Sequence, residues 1–308
     1  MRAIIIYMYL IDTHCHLHDR EFFTDTQAAQ MLKNAHARDI KQIICIGTNH
    51  TDSLAARDFA LKHKNVFWTY GIHPEAAGKP DFSFLDYKKF FQAFSEELPS
   101  RARVPSATEG QANSGEKLDE KFQSKKLKSG FLKLAAIGEI GLDYHYPGYN
   151  RQNQIKLLEQ MLDLAIKLDL PCSFHVREAF DDFFAVTQNF PDLKPSVLHS
   201  FTDNQNQLDY ALNHDFYIGI NGILVNHSEE FDWTKDLGNH LPLDRIVLET
   251  DAPFLTPAPN RGKINEPGNV ADVATWLANK IGVSREEIAE RTTKNARTIF
   301  NLPNPEPV

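Results

Sequence analysis

Short β-branched runs alternate with longer helical stretches along the chain, and no other feature restricts its fold as much. Candidate strands occupy residues 10–13, 42–46, 66–70, 135–140, 171–174, 196–199, 216–220 and 245–249. Helical patterns lie between them at 26–38, 53–62, 152–168, 179–189 and 204–212. In the stretch 152–168, Ile155, Leu158, Met161, Leu162, Ala165 and Leu168 recur at i, i+3, i+4 spacing and so share one helix face. A helix between two strands returns the chain to the end it left, which makes the strands parallel. Eight such units predict a single-domain α/β fold, a TIM-like (β/α)8 barrel. Near the end, Ser284-Arg285-Glu286-Glu287 has the form of a capping box opening a helix at 286–291.

In a barrel of this kind the chemistry gathers where strands end. The first strand ends Asp12-Thr13-His14-Cys15-His16. Residues i and i+2 of a strand point the same way, so His14 and His16 converge while Cys15 faces away. Two imidazoles at one strand end make half of a metal site. Four further strands end in a group able to hold a metal: Glu139, His175, His199 and Asp251. Their spacing fits strands four, five, six and eight, with one βα unit between the first two pairs and two between the last. Five strands ending in such groups are hard to attribute to chance. Glu249 is left outside the metal shell.

Composition limits the partners. The formal net charge is -8 over 308 residues, so no broad basic field draws a nucleic-acid backbone. Cys15, Cys45 and Cys172 are odd in number and outside any motif, which suggests reduced thiols in a cytoplasmic protein. The apolar run at 3–11 is far short of the ~20 residues of a membrane span and is read as a first strand with extra residues ahead of it, Met8 being an alternative start. Residues 99–130 are polar and poor in apolar side chains, and are read as a flexible insertion between a helix at 85–98 and the fourth strand.

Over residues 8–302 the chain resembles the TatD family of metal-dependent deoxyribonucleases. The resemblance rests on Asp12-Thr13-His14-Cys15-His16-Leu17, Gly71-Ile72-His73-Pro74 and Gly138-Glu139-Ile140-Gly141-Leu142-Asp143-Tyr144. It rests further on His175, His199-Ser200-Phe201-Thr202, Glu249-Thr250-Asp251-Ala252-Pro253-Phe254-Leu255 and Arg261-Gly262-Lys263-Ile264-Asn265-Glu266-Pro267. It implies two divalent metal ions. His14, His16 and Asp251 would hold one, His175 and His199 the other, and Glu139 would bridge. All six positions are intact. Ser200 stands where the family commonly has Cys, and the insertion at 99–130 is longer than the family pattern.

The implied activity is hydrolysis of DNA from 3′ ends by a metal-activated water, with Asp251 taking its proton. Imidazole suits Zn or Mn, while the bridging carboxylate and a phosphate substrate keep Mg in contention. His73, Arg177 and Arg261 are candidate substrate-binding residues, able to bond phosphate oxygens. His145 is as readily an ordinary loop residue. Phe201, Tyr144, Tyr146, Tyr149 and Phe254 flank the motifs and favour a single-stranded nucleic-acid substrate. The alternative is hydrolysis of another bond on the same site, such as an aminoacyl-tRNA ester or a small amide or lactone. A non-catalytic binding protein fits the complete ligand set poorly. No membrane association or obligate protein partner is expected. His18, His36, His50, His63, His214, His227 and His240 are read as surface or structural, without partners.

Overall fold

The computed structural model describes residues 9–79, 82–84 and 133–307. The expected helix at 85–98, the insertion at 99–130 and the extra residues ahead of Met8 lie outside the described residues. The strands are β1 Leu10–Cys15, β2 Ile40–Cys45, β3 Val66–Tyr70, β4 Leu134–Asp143, β5 Cys172–Arg177, β6 Ser196–Leu198, β7 Phe216–Ile220 and β8 Ile246–Leu248. They pair in chain order as one eight-stranded parallel sheet. The last turn of the barrel joins the end of β1 to the segment after β8. There Asp251 N–H donates to the His14 carbonyl at 2.8 Å, and His16 N–H donates to the Ala252 carbonyl at 2.7 Å. Side chains reinforce the seam. The buried Asp12 carboxylate accepts from the Thr250 N–H at 2.9 Å and the Thr250 hydroxyl at 2.7 Å. The strands are therefore locked in register where the metal-competent residues lie.

Helices α1 Asp25–Ala37, α2 His50–Lys62, α3 Arg151–Leu168, α4 Phe180–Thr187, α5 Gln205–Asn213, α6 Gly222–His227, α7 Val270–Ile281 and α8 Arg285–Ile299 are the longer ones described. Side chains bond the free N–H groups at several of their starts. Thr24 and Gln27 form a reciprocal capping box on α1, and Asn49, Asn150 and Asn204 cap α2, α3 and α5. Ser284 caps α8 by accepting from Glu287 N–H at 3.1 Å, and that helix runs on to Ile299, well past the expected 291. The end of α8 and the residues after it pack against the starts of the strands. Ile299, Phe300 and Leu302 form one buried cluster with Ile11, Ile44, Phe67, Val197 and Val247. That covers the amino end of the barrel and leaves the carboxyl end for the site.

Two strands run past the residues expected to end them: β4 continues beyond Glu139 to Asp143, and β5 beyond His175 to Arg177. The pairing of β4 with β5 shifts register between Ile137 and Ile140, as at a bulge, and the Gly138–Glu139 peptide is cis. A bulge re-aims a side chain within a strand without ending it. All three cysteines are free and buried.

Candidate metal centre

Five strands carry the six residues to one place. His14 is in β1 and His16 follows it, Glu139 is within β4 and His175 within β5, His199 directly follows β6, and Asp251 follows β8. His14, His16, Glu139 and His199 are buried. His14 stacks on His199 with ring centroids 3.7 Å apart.

The nitrogens and oxygens facing one another are separated by a telling distance. His14 Nε2 lies 3.7 Å from Glu139 Oε2 and 3.5 Å from Asp251 Oδ1. His16 Nε2 lies 3.4 Å from Asp251 Oδ1. His175 Nδ1 and His199 Nε2 lie 3.2 and 3.6 Å from Glu139 Oε1. Most of these are too long for charge-assisted hydrogen bonds, which run to about 2.7–2.9 Å. Two donors bound tetrahedrally at about 2.0–2.1 Å to one ion sit roughly 3.4 Å apart. Buried His14 Nε2 has no hydrogen-bond partner among the described residues. The donor set thus fits divalent cations better than it fits itself. Glu139 also divides its oxygens: Oε2 faces His14, while Oε1 faces His175, His199 and, at 3.8 Å, His73 Nε2.

The outward nitrogens are held by other groups. His16 Nδ1 donates to the Ile46 carbonyl at 3.1 Å, His175 Nε2 to Asp143 at 2.9 Å and His199 Nδ1 to Glu249 at 3.0 Å. The proton is thereby fixed outward and the inward lone pair is left for a cation, the arrangement usual in metal-binding histidines. His73 is the reverse. Its Nδ1 accepts from Glu75 N–H at 3.4 Å, so in the neutral ring the inward Nε2 carries the proton.

The electrostatics show what the carboxylates demand. Burial opposes ionisation of Glu139, but the contacts from His14 and His175 outweigh it and hold it well below the usual carboxylate range. Asp251 is likewise lowered, burial being outweighed by His16 and the charges of His199 and His14. Burial also works against charge on His175 and His199. Even so, Asp143 and Glu139 raise His175 to about 9, and Glu249 raises His199 to about 10. Burial, then the charge of His199, lowers His14, and burial with the charge of His175 takes His73 down to about 4. A cluster of buried carboxylates calls for positive charge, which protons on the imidazoles or metal ions can supply.

The remaining candidates scatter. His73 joins the centre, its ring 4.5 Å from that of His175. Arg177 is exposed at the end of β5, its guanidinium 5.4 Å from the centre of the Tyr146 ring. Arg261 contacts His227 Nε2 at 3.0 Å, in a separate cavity of about 430 Å³ lined by Asn226, Phe231 and Leu255. His145 pairs with Glu178 at 2.6 Å. Phe201 is buried at 1% exposure against Phe180 and Trp233, so it is core and cannot meet a substrate. The reading of the other histidines as lacking partners is corrected for four of them. Buried His18 bonds Asp52 at 2.9 Å, His50 bonds the Tyr70 hydroxyl at 3.1 Å, His214 Nδ1 donates to the Tyr210 carbonyl at 2.8 Å, and His227 pairs with Glu230.

Two residues behind the centre were not singled out as supports from the sequence. Asp143 carried a signal, four residues after Glu139 in the same motif. Glu249 carried another, two before Asp251. It also accepts from Ser200 N–H at 2.8 Å and from the Asn221 amide at 3.0 Å. Glu249 was left outside the metal shell, and no local pattern could show that it reaches His199, 50 residues away.

The family model described as TatD related DNase matches residues 11–301. An Escherichia coli relative, the uncharacterized metal-dependent hydrolase YcfH, is 29% identical over 96% of this chain and 97% of its own. The 3′-5′ ssDNA/RNA exonuclease TatD of Erwinia tasmaniensis is 29% identical over 91% of this chain and 97% of its own. Among solved structures, the YJJV TatD homolog of Escherichia coli superposes with a TM-score of 0.76 at 25% identity, covering 97% of this chain and all of that one. A TatD family hydrolase from Entamoeba histolytica shares the fold with a TM-score of 0.73 at 20% identity, covering 96% of this chain and 99% of its own.

Proposed function

The chain belongs to the TatD-related DNase family of metal-dependent hydrolases, and from that premise we propose that it is a nuclease removing nucleotides from the 3′ ends of single-stranded DNA. The observation that carries this is the spacing of the inward donors. Those of His14, His16 and Asp251, and of His175 and His199, meet Glu139 or one another at 3.2–3.7 Å while the outward nitrogens of His16, His175 and His199 are held elsewhere.

His14, His16 and Asp251 would hold one divalent ion and His175 and His199 a second, with one oxygen of Glu139 turned to each. Ions bound there would supply a Lewis acid for the phosphodiester and for a water. Asp251 is ionised and faces into the centre, so it takes the proton of the attacking water. His73 keeps its proton on the inward Nε2 and donates it to a phosphate oxygen. Arg177 stands at the rim, able to reach a neighbouring phosphate. Arg261 and its cavity would take a more distant part of the strand. The imidazole-rich donors favour Zn or Mn over Mg.

The test uses purified protein on 3′-labelled single-stranded DNA, with and without chelator, beside His14→Ala and Asp251→Ala. The expected result is release of labelled mononucleotide that stops with chelator and falls to background in both variants. Firm metal binding without nucleotide release would sink the nuclease reading in favour of another hydrolysable bond, such as an aminoacyl ester or a lactone. Failure to bind divalent metal would sink the centre itself.

A further inference from the structure

Six large hydrophobic side chains are exposed among the described residues: Phe22, Leu61, Tyr146, Tyr149, Phe254 and Ile264. Leu61 lies on α2. The other five all lie in segments that leave the carboxyl end of a strand: Phe22 after β1, Tyr146 and Tyr149 after β4, Phe254 and Ile264 after β8. That end of the barrel holds the centre. Apolar groups gathered at one mouth mark a binding surface.

The aromatics form two edges. On the side of His16, the rings of Phe22 and Phe254 meet at 81° with centroids 5.3 Å apart, and Phe254 lies 6.3 Å from His16. On the side of His175, Tyr149 stacks on Tyr144 at 4.6 Å, and Arg177 lies over the Tyr146 ring. This second edge is braced: the Tyr144 hydroxyl donates to Asp182 at 2.7 Å, and Arg151 grips the same carboxylate. Neither edge presents a row of cations, and the chain carries a net charge of -8. Neutral π-faces bind bases whatever their sequence, and only when the bases are unpaired.

We propose that the Phe22–Phe254 pair is a stacking platform for the base next to the scissile phosphate, with the Tyr146–Tyr149 edge receiving bases on the opposite side of the centre. The proposal rests on the reading of the substrate as a nucleic-acid strand. The right-angled pair lets a planar base lie on one ring with its edge against the other. The site thereby selects unpaired ends through π-faces and not through charge.

The test is a cycle in which protein and substrate are each truncated. The probe is a short fluorescein-labelled thymidylate strand with phosphorothioate linkages, bound to metal-loaded protein and read by anisotropy. Abasic residues replace the 3′-terminal positions one at a time. With the full strand, Phe254→Ala is expected to raise Kd about 5- to 100-fold, the range for one stacked base. At one abasic position wild type and Phe254→Ala should bind equally, because the partner of the ring is gone. Phe254→Trp should restore affinity, which a merely misfolded loop would not allow. Equal effects of Phe254→Ala on full and abasic strands at every position would overturn the platform, as would duplex binding as tight as single-strand binding. Nucleotide release without any coupling would overturn the platform and leave the nuclease intact. Coupling without nucleotide release would support the platform and sink the hydrolysis.

Discussion

Five imidazoles face the two inward carboxylates, and several differ in what holds the far nitrogen. Glu249 on His199 and Asp143 on His175 are carboxylates, which make those rings more basic and fix their planes. Glu249→Gln and Asp143→Asn keep the shape and remove the charge. Each is expected to weaken divalent-metal affinity about 10- to 100-fold, measured by competition with a chromogenic chelator. Equal affinity in both variants would show that the far-side charge does no tuning. His18 makes a separate prediction. Burial works against its charge, but Asp52 and Cys45 together outweigh it and raise His18 to about 9 from an ordinary 6.5. A group raised on folding contributes its full stability below its unfolded value and loses it as pH climbs through the folded one. Wild type should therefore melt above His18→Gln at pH 6, and the gap should close between about pH 6.5 and 9. A gap that widens with pH would reverse the assignment.

Among the elements, β4 decides where the bridging carboxylate points. Its register shift falls at Gly138–Glu139, and Glu139 N–H donates to the Gly47 carbonyl at 2.7 Å. The Gly-Ile-His-Pro motif after β3 takes part in this. A Cβ on Gly71 would stand 2.1 Å from the Gly138 carbonyl carbon and 2.2 Å from the Glu139 nitrogen. Both are backbone atoms of a paired strand and cannot yield cheaply. Gly71→Ala is expected to cost about 1–3 kcal/mol of stability, as overpacking does, and to displace Glu139. Denaturant unfolding would read the first, and metal titration of the still-folded variant the second. Unaltered stability and metal affinity would show that β4 is not held by this contact.

At the scale of the whole molecule, the core and the centre are separable. The clusters that bury the strands close the barrel through apolar contacts and backbone hydrogen bonds. The chain should thus fold without metal and gain stability on binding it. An excess of ligand at 100 times Kd adds about 2.7 kcal/mol, or roughly 4 °C in Tm for a chain of this size. Metal-saturated protein should melt that far above chelated protein, and His14→Ala should remove most of the difference. Net charge gives a second expectation. With few cations at the mouth, single-strand affinity should fall only shallowly with salt, with a log–log slope of about -1 to -2 from two or three phosphate contacts. A slope of many units would point to many phosphate contacts and overturn this expectation.

Much of this was legible in the residues alone, and the reason is periodicity. Strand and helix repeats are local, so eight alternating units were visible without any contact, and a barrel gathers its strand ends at one mouth. His14, His16, Glu139, His175, His199 and Asp251 therefore stood out as a set before any distance was known. What the tertiary structure decided are the relations that span the chain. The far nitrogens of His175 and His199 meet partners 32 and 50 residues away, and only the closed barrel sets which carboxylate stands behind which ring. The aromatics make the same point. Phe201 and Phe254 each flank a motif, but one is buried against Trp233 and the other is half exposed beside His16. Packing, which no local pattern encodes, is what separates them.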